Sequence, residues 1–251
     1  MRIVVIGGTG LIGSKVVHGL TEHGHDAIAA APSTGVNTIT GKGLSQVLRG
    51  ASVVVDVSNS PTLDGAAKEF FRTATTNLLE AEAAAGVSHH VALSVVGTER
   101  LAQQSEYFQA KQAQEELISA GPIPYSIVAA TQFFEFLTKI ADSATVDGTV
   151  RLPNAFMQPM ASADVAEAVA IAAVNTPVNG VIKVAGPQRF LLPDIIRMAL
   201  RAHGDSRPVV ADPAAGYWGV QIDETTLVPG DGATLFDTRF EDWSREAAAM
   251  R

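Results

Sequence analysis

Residues 2–20 read RIVVIGGTGLIGSKVVHGL, a strand, a turn and a helix in that order. RIVVIG (2–7) is a short, mostly β-branched run that suits a buried strand. Leu11, Ile12, Val16, Val17 and Leu20 recur at helical spacing, and the pattern stops at Gly24. Between them GGTGLIG sets Gly7, Gly10 and Gly13 three apart. Gly7 suits a tight turn. Gly13 lets a helix pack closely on a sheet.

The same alternation continues. DAIAAA (26–31) is strand-like, GLSQVLRG (43–50) a short helix and SVVVDVS (52–58) a buried strand. An Ala-rich helix covers 66–86, a strand HHVALSVV (89–96), a helix 106–120 and a strand YSIVAAT (125–131). Strands alternating with helices of this length pair in parallel through right-handed crossovers. The expected fold is α/β: a Rossmann-like, doubly wound parallel sheet, with its ligand crevice at the carboxyl ends of the strands.

Beyond residue 131 the pattern loosens. A helix is expected over 133–144, and a hairpin turning at Asp147-Gly148. A helix over 162–174 takes Ser162 as its N-cap. A strand follows at 180–186, then a helix at 193–204 that begins with Pro. The segment 205–238 is irregular, with short strands at 207–211 and 217–222. Residues 1–251 thus form a single domain, to which residues from about 132 onward add a small substrate-side lobe.

Composition excludes several functions. With 47% hydrophobic residues the chain can bury a sizeable core, and with no cysteine it has no disulfide, thiolate metal site or thiol nucleophile. The net charge is −8 and no Lys/Arg cluster is present, which argues against nucleic acid. No apolar stretch approaches a membrane span, and MRIVVIGGTG lacks the blocks of a signal peptide. The expectation is a cytoplasmic monomer or homodimer acting on a small molecule. His89 and His90 open a strand, so alternation points one inward and the other outward. No metal site is read there.

A glycine turn that follows the first strand and opens the first helix fits a dinucleotide. Gly10 lets the backbone approach a pyrophosphate, which sits among free N–H groups at the helix N-terminus. Gly7, Thr9, Gly10, Leu11, Ile12 and Gly13 form this candidate turn. An NAD site usually ends its second strand in Asp or Glu. Here that strand runs into Ala29, Ala30, Ala31, Pro32, Ser33 and Thr34. Ser33 and Thr34 could donate hydrogen bonds to a 2′-phosphate, and Lys15 could approach it. NADP(H) is therefore favoured over NAD(H).

Together with the glycines, VVVDVSNSP (53–61), NLLEAEAAAGVSHHVALSVVG (77–97) and PYSIVAATQFFE (124–135) carry a family resemblance. Over roughly 1–174 the chain resembles the short-chain dehydrogenase/reductase superfamily, in its atypical, NmrA-like NAD(P)-binding branch. That resemblance implies cofactor contacts from Val57, Ser58, Asn59 and Thr131, and substrate contacts from Gln132 and Phe133. Asp164 in SADVAEAV resembles a structural brace. Members of the branch are oxidoreductases or isomerases, or have lost catalysis and sense the dinucleotide for a partner protein.

In reductases of the superfamily a Ser binds the substrate oxygen, a Tyr donates the proton, and a Lys four residues later lowers the Tyr pKa and holds the nicotinamide ribose. Ser94, Tyr107 and Lys111 match these roles and their spacing. Helical i, i+4 spacing puts Tyr107 and Lys111 on one face. The extended branch often has an Asn in the preceding helix that supports the Lys; that position falls at about Phe71. The implied activity is reduction of a carbonyl or quinone group on an apolar, aromatic or polyketide-like molecule. Two alternatives remain: a non-catalytic redox sensor, and a tailoring enzyme of isomerase or oxygenase type.

Overall fold

A computed structural model describes residues 1–249 of the chain. The strands are β1 (Arg2–Ile6), β2 (Asp26–Ala30), β3 (Val53–Asp56), β4 (His89–Val95), β5 (Tyr125–Ala130), β6 (Thr145–Val146), β7 (Thr149–Leu152), β8 (Phe156–Met157), β9 (Gly180–Ala185), β10 (Phe190–Leu191), β11 (Val209–Ala211) and β12 (Thr234–Leu235). The helices are α1 (Gly13–Glu22), α2 (Leu44–Val47), α3 (Ala66–Ala85), α4 (Thr98–Ala102), α5 (Glu106–Ala120), α6 (Leu137–Ser143), α7 (Ser162–Val174), α8 (Leu192–Ala202) and α9 (Phe240–Ala249). No helix among the described residues is long and apolar enough to cross a membrane.

The fold is α/β, with a seven-stranded central sheet of order β12-β9-β5-β4-β3-β1-β2. β1 pairs in parallel with both β2 and β3, and β3 with β4. The order reverses at β1 and β3, which makes their carboxyl ends a topological switch point where ligands bind in such sheets. The chain divides into two compact units. The first holds Met1–Ser94, Ser105–Ala129 and Val165–Ile182; the second holds Val95–Gln104, Ala130–Asp164 and the chain from Lys183.

In the first unit Val4, Ile6, Val54, Leu44, Leu48 and Leu78 form a core between the sheet and its helices. β1 and β3 are apolar almost throughout because both faces are covered. That coverage corrects the expectation for the two histidines. Their side chains alternate across β4, yet both are buried. His89 Nε2 lies 2.9 Å from Ser126 Oγ, and His90 Nδ1 lies 2.8 Å from Glu82 Oε1. α5 begins at Ser105, whose hydroxyl accepts from the Phe108 N–H.

In the second unit β6 and β7 form the expected hairpin, with Asp147 (φ 48°) and Gly148 (φ 75°) both left-handed at its turn. Ser162 is not an N-cap acceptor. Its hydroxyl and N–H both donate to the Glu135 carboxylate, so a side chain distant in sequence satisfies the start of α7. Residues 217–222 are a turn rather than a strand. Tyr217 and Val220 exchange backbone hydrogen bonds of 2.8 and 3.0 Å around Trp218 (φ 50°) and Gly219 (φ 79°). The strand expected at 207–211 is present as β11, parallel to β7. Phe134, Phe240 and Trp243 cluster with ring centroids 5.3–5.9 Å apart.

Candidate active site

The glycine turn lies at the switch point of the first unit. Gly7 adopts φ 78°, and a Cβ there would stand 2.9 Å from the Ser58 nitrogen, so the loops after β1 and β3 touch at this residue. A Cβ on Gly13 would meet the Gly7 carbonyl oxygen at 2.2 Å. Gly8, which lies outside the three-residue spacing, is also constrained: its Cβ would lie 2.7 Å from Ala29 Cα and from Val5 O. Gly10 is different. It is exposed, and its absent Cβ would have only the Gly7 oxygen at 3.3 Å. Glycine here keeps the turn open to a bound group. Among the described residues, no backbone carbonyl accepts from the N–H groups of Leu11 and Ile12, just ahead of α1. An exposed turn, N–H groups that no backbone carbonyl takes among the described residues, and a ten-residue helix behind them fit a pyrophosphate.

At the end of β2 the two candidate 2′ groups separate. Ser33 is exposed and its hydroxyl makes no hydrogen bond among the described residues. Thr34 is spent locally: its hydroxyl accepts from the Ala31 N–H at 2.9 Å and donates to the Ala31 carbonyl at 3.0 Å, closing a 3₁₀ turn. Lys15 is exposed on α1.

The loop after β3 connects to α5. Tyr107 donates its phenolic hydrogen to Asn59 Oδ1 at 2.9 Å. Burial pushes the phenol up to about 12, which corrects the lowering by Lys111 that the resemblance implied. Ser58 donates from both its N–H and its hydroxyl to Asp56 Oδ1, at 2.9 and 2.6 Å. Val57 holds the strand end through an N–H bond to the Ile6 carbonyl.

Lys111 is 3% exposed and points away from solvent. Its ammonium donates to the Leu93 carbonyl at 2.9 Å and to Gln114 Oε1 at 2.5 Å, and lies 4.7 Å from the centroid of the Phe71 ring. Burial lowers its pKa to about 8, against the fields of Asp56 and Glu115. Ser94 is buried, and its hydroxyl donates to the Glu115 carboxylate. The three candidate catalytic residues therefore share neighbours. Phe71 touches the ring of Tyr107 edge-on, with centroids 6.2 Å apart, and the ammonium of Lys111. Glu115 binds Ser94 and acts on Lys111. Asp56, Gln114 and Glu115 belong to this cluster and were not anticipated from sequence; the only hint was an i+3, i+4 pair of polar residues following Lys111.

The candidate substrate residues belong to the second unit. Thr131 is buried and donates its hydroxyl to the Gln158 carbonyl at 2.6 Å. Gln132 is buried, and among the described residues neither its amide oxygen nor its nitrogen has a hydrogen-bond partner. Phe133 stacks on Phe136 at 5.5 Å, whereas Phe134 belongs to the core. Asp164 braces its unit by accepting the Thr238 hydroxyl at 2.7 Å, and burial raises its pKa.

Residues 3–122 match the NAD dependent epimerase/dehydratase family. No curated protein matches the chain in sequence at a significant level. Among solved structures, the chain is similar to a short-chain dehydrogenase/reductase superfamily protein from Agrobacterium tumefaciens with bound NAD, at TM-score 0.73 and 17% identity, covering 99% of this chain and 96% of that one. It is similar to UDP-glucose 4-epimerase from Thermus thermophilus in complex with NAD, at TM-score 0.70 and 16% identity, covering 99% and 98%. It is also similar to dTDP-4-dehydrorhamnose reductase from Bacillus anthracis in complex with NADP, at TM-score 0.70 and 13% identity, covering 97% and 96%. These likenesses show that the chain has the fold of NAD(P)-dependent enzymes of the short-chain dehydrogenase/reductase type, and residues 3–122 carry the epimerase/dehydratase match. The NmrA-like branch that the sequence resembles is a related branch of that superfamily.

Proposed function

We propose that the protein is an NAD(P)H-dependent reductase of a carbonyl or quinone group on an apolar, aromatic or polyketide-like small molecule, with Tyr107 as proton donor. One observation carries this reading. The Tyr107 hydroxyl is held by Asn59, in the loop after β3 that meets the glycine turn at Ser58, and the buried phenol keeps its proton. A protonated phenol suits the reducing direction, in which the substrate oxygen must receive a proton. A bound nicotinamide would supply the hydride. Gly7, Gly10 and Gly13 would take its pyrophosphate, and Ser58 and Lys111 the adjoining ribose. Gln132, buried with both ends of its amide unpaired among the described residues, is a candidate for the substrate's polar group.

For the cofactor, NADP(H) is favoured. The second strand ends without an acid, the exposed Ser33 hydroxyl makes no hydrogen bond among the described residues, and Lys15 is exposed on α1. The relatives bind NAD in some cases and NADP in others. Their named substrates include nucleotide sugars, which stand as a competing substrate class.

The test is oxidation of NADPH and NADH against ketones, quinones and nucleotide-linked keto sugars, with Tyr107→Phe alongside. The reading requires turnover in the native protein and a drop of about 10²–10⁴-fold in the variant at unchanged cofactor affinity. Turnover that survives Tyr107→Phe would refute the role of Tyr107. A second reading is a dinucleotide sensor, favoured by the enclosure of the Lys111 ammonium among protein partners. It requires cofactor binding with no turnover of any of these substrates.

A further inference from the structure

We propose that Asp56 and Gln114 are the positioning residues of Lys111: Asp56 fixes the orientation of the Gln114 amide, and the amide oxygen holds the lysine ammonium against the Leu93 carbonyl. The role rests on the reading of Lys111 as a working site residue. Its physical basis is independent of that reading.

Asp56, Gln114 and Lys111 are 2%, 2% and 3% exposed, so the line they form is closed to solvent. Gln114 Nε2 donates to Asp56 Oδ2 at 3.0 Å, and Gln114 Oε1 accepts from Lys111. An ionised carboxylate only accepts hydrogen bonds, and an ammonium only donates them. With its amide reversed, Gln114 would set oxygen against carboxylate and NH₂ against ammonium. Both contacts would be repulsive in a site where water cannot relieve them. Only one orientation of Gln114 survives, and Asp56 selects it.

Asp56 is itself fixed. Its other oxygen accepts from the Ser58 N–H and hydroxyl. One carboxylate thus faces two ways: toward the loop whose Asn59 holds the Tyr107 hydroxyl, and through Gln114 toward Lys111. The groups that face Lys111 come from the elements around it: the Asp56 carboxylate of β3, the Phe71 ring of α3, the Leu93 carbonyl of β4, and Gln114 and Glu115 of its own helix. Among the sequence departures, Phe71 stood where a supporting Asn was expected. The amide that meets the lysine comes instead from Gln114, one turn along α5. The depressed pKa of Lys111, about 8, agrees with a buried ammonium that depends on these few partners.

The experiment follows the titration of Lys111 by NMR in protein carrying ¹³Cε-lysine, assigned with Lys111→Arg, together with the pH dependence of NADPH affinity by fluorescence. Gln114→Leu and Asp56→Asn are each expected to lower the Lys111 midpoint by about one unit or more and to weaken NADPH binding about tenfold at pH 8. Gln114→Glu keeps an acceptor for the ammonium but loses the donor to Asp56, and its added charge is expected to bring the midpoint to the native value or above. If both Gln114→Leu and Asp56→Asn leave the midpoint within about 0.3 unit, the positioning role is wrong and the two residues merely pack. Should Asp56→Asn fail to fold, Gln114→Leu and Gln114→Glu decide by themselves. Absence of turnover in the native protein would count against the reductase reading alone, because the lysine midpoint needs no substrate.

Discussion

The Lys111 ammonium stands 4.7 Å from the centroid of the Phe71 ring, and both residues are buried in the same unit. An aromatic face attracts a cation most where water is excluded, by about 2 kcal/mol at desolvated sites. Phe71→Leu keeps an apolar side chain but removes that face. We expect a loss of about 2–3 kcal/mol in folding free energy, part cation–π and part lost packing. Urea unfolding at pH 7 measures the total. Repeating it at pH 10 removes the cation–π part, since Lys111 is then largely neutral in the folded state. A loss that is the same at both pH values would argue that Phe71 is packing alone.

Lys111 and Tyr107 set opposite slopes in alkaline solution. The lysine falls from 10.5 to about 8 on folding, chiefly by burial. Between these values the unfolded chain holds a proton that the folded chain has released, so stability rises with pH. Tyrosine moves the other way, from 10.0 to about 12, again by burial. Between these values the folded chain holds the extra proton, so stability falls as pH rises. The two contributions together produce a maximum near pH 10. Unfolding of Lys111→Met should lack the rise from pH 8, and Tyr107→Phe should lack the fall above pH 10. Thermal melts from pH 7 to 11 on the three proteins decide this.

Glu82 and His90 form a pair with neither side chain exposed, at 2.8 Å. Burial alone would lower the imidazole pKa, but the charge and hydrogen bond of Glu82 outweigh it and raise His90 above 6.5. A raised histidine contributes its full stabilisation below 6.5 and loses it as pH climbs through the folded value. Removing one member strands the other, at a cost of about 3–5 kcal/mol. Glu82→Ala should therefore destabilise strongly at pH 6. The double change Glu82→Leu, His90→Leu should recover most of the loss. Denaturant titrations of single and double variants test the pairing, and equal losses in both would show that packing, not charge, is at stake.

What could be read in advance followed the reach of the forces involved. Strand and helix alternation over residues 2–131 is a local periodicity, and each strand appears within a residue or two of where the pattern sets it. The hairpin at Asp147-Gly148 was equally local, since two left-handed residues suffice to define it. Asp56 and Gln114 are 58 positions apart, and nothing local in a helix marks a glutamine as buried. The same distance effect hid Glu135 as the partner of Ser162 and Ser126 as that of His89. Strands β8, β10 and β12 have two residues each, too short to show any period. The helix α9 escaped because its buried apolar contact is concentrated at Phe240, near its start.

The glycine turn permits a prediction that separates its members. Gly13 and Gly8 are glycine for reasons of space: an added Cβ would meet backbone at 2.2 Å and at 2.7 Å. Gly10 has no such neighbour, with 3.3 Å to the Gly7 oxygen. Overpacking against backbone costs about 1–3 kcal/mol, and more where nothing can shift. Gly13→Ala and Gly8→Ala should therefore lower the unfolding temperature, Gly13→Ala by more. Gly10→Ala should leave stability within about 0.5–1 kcal/mol of native, because its methyl group meets only the Gly7 oxygen, at a tight 3.3 Å that a small shift relieves, yet it should weaken NADPH binding at least tenfold by occupying the room of the pyrophosphate. Paired measurement of thermal unfolding without cofactor and of NADPH affinity distinguishes the two kinds of glycine. If Gly10→Ala bound NADPH as the native protein does, the pyrophosphate would have to lie elsewhere than over this turn.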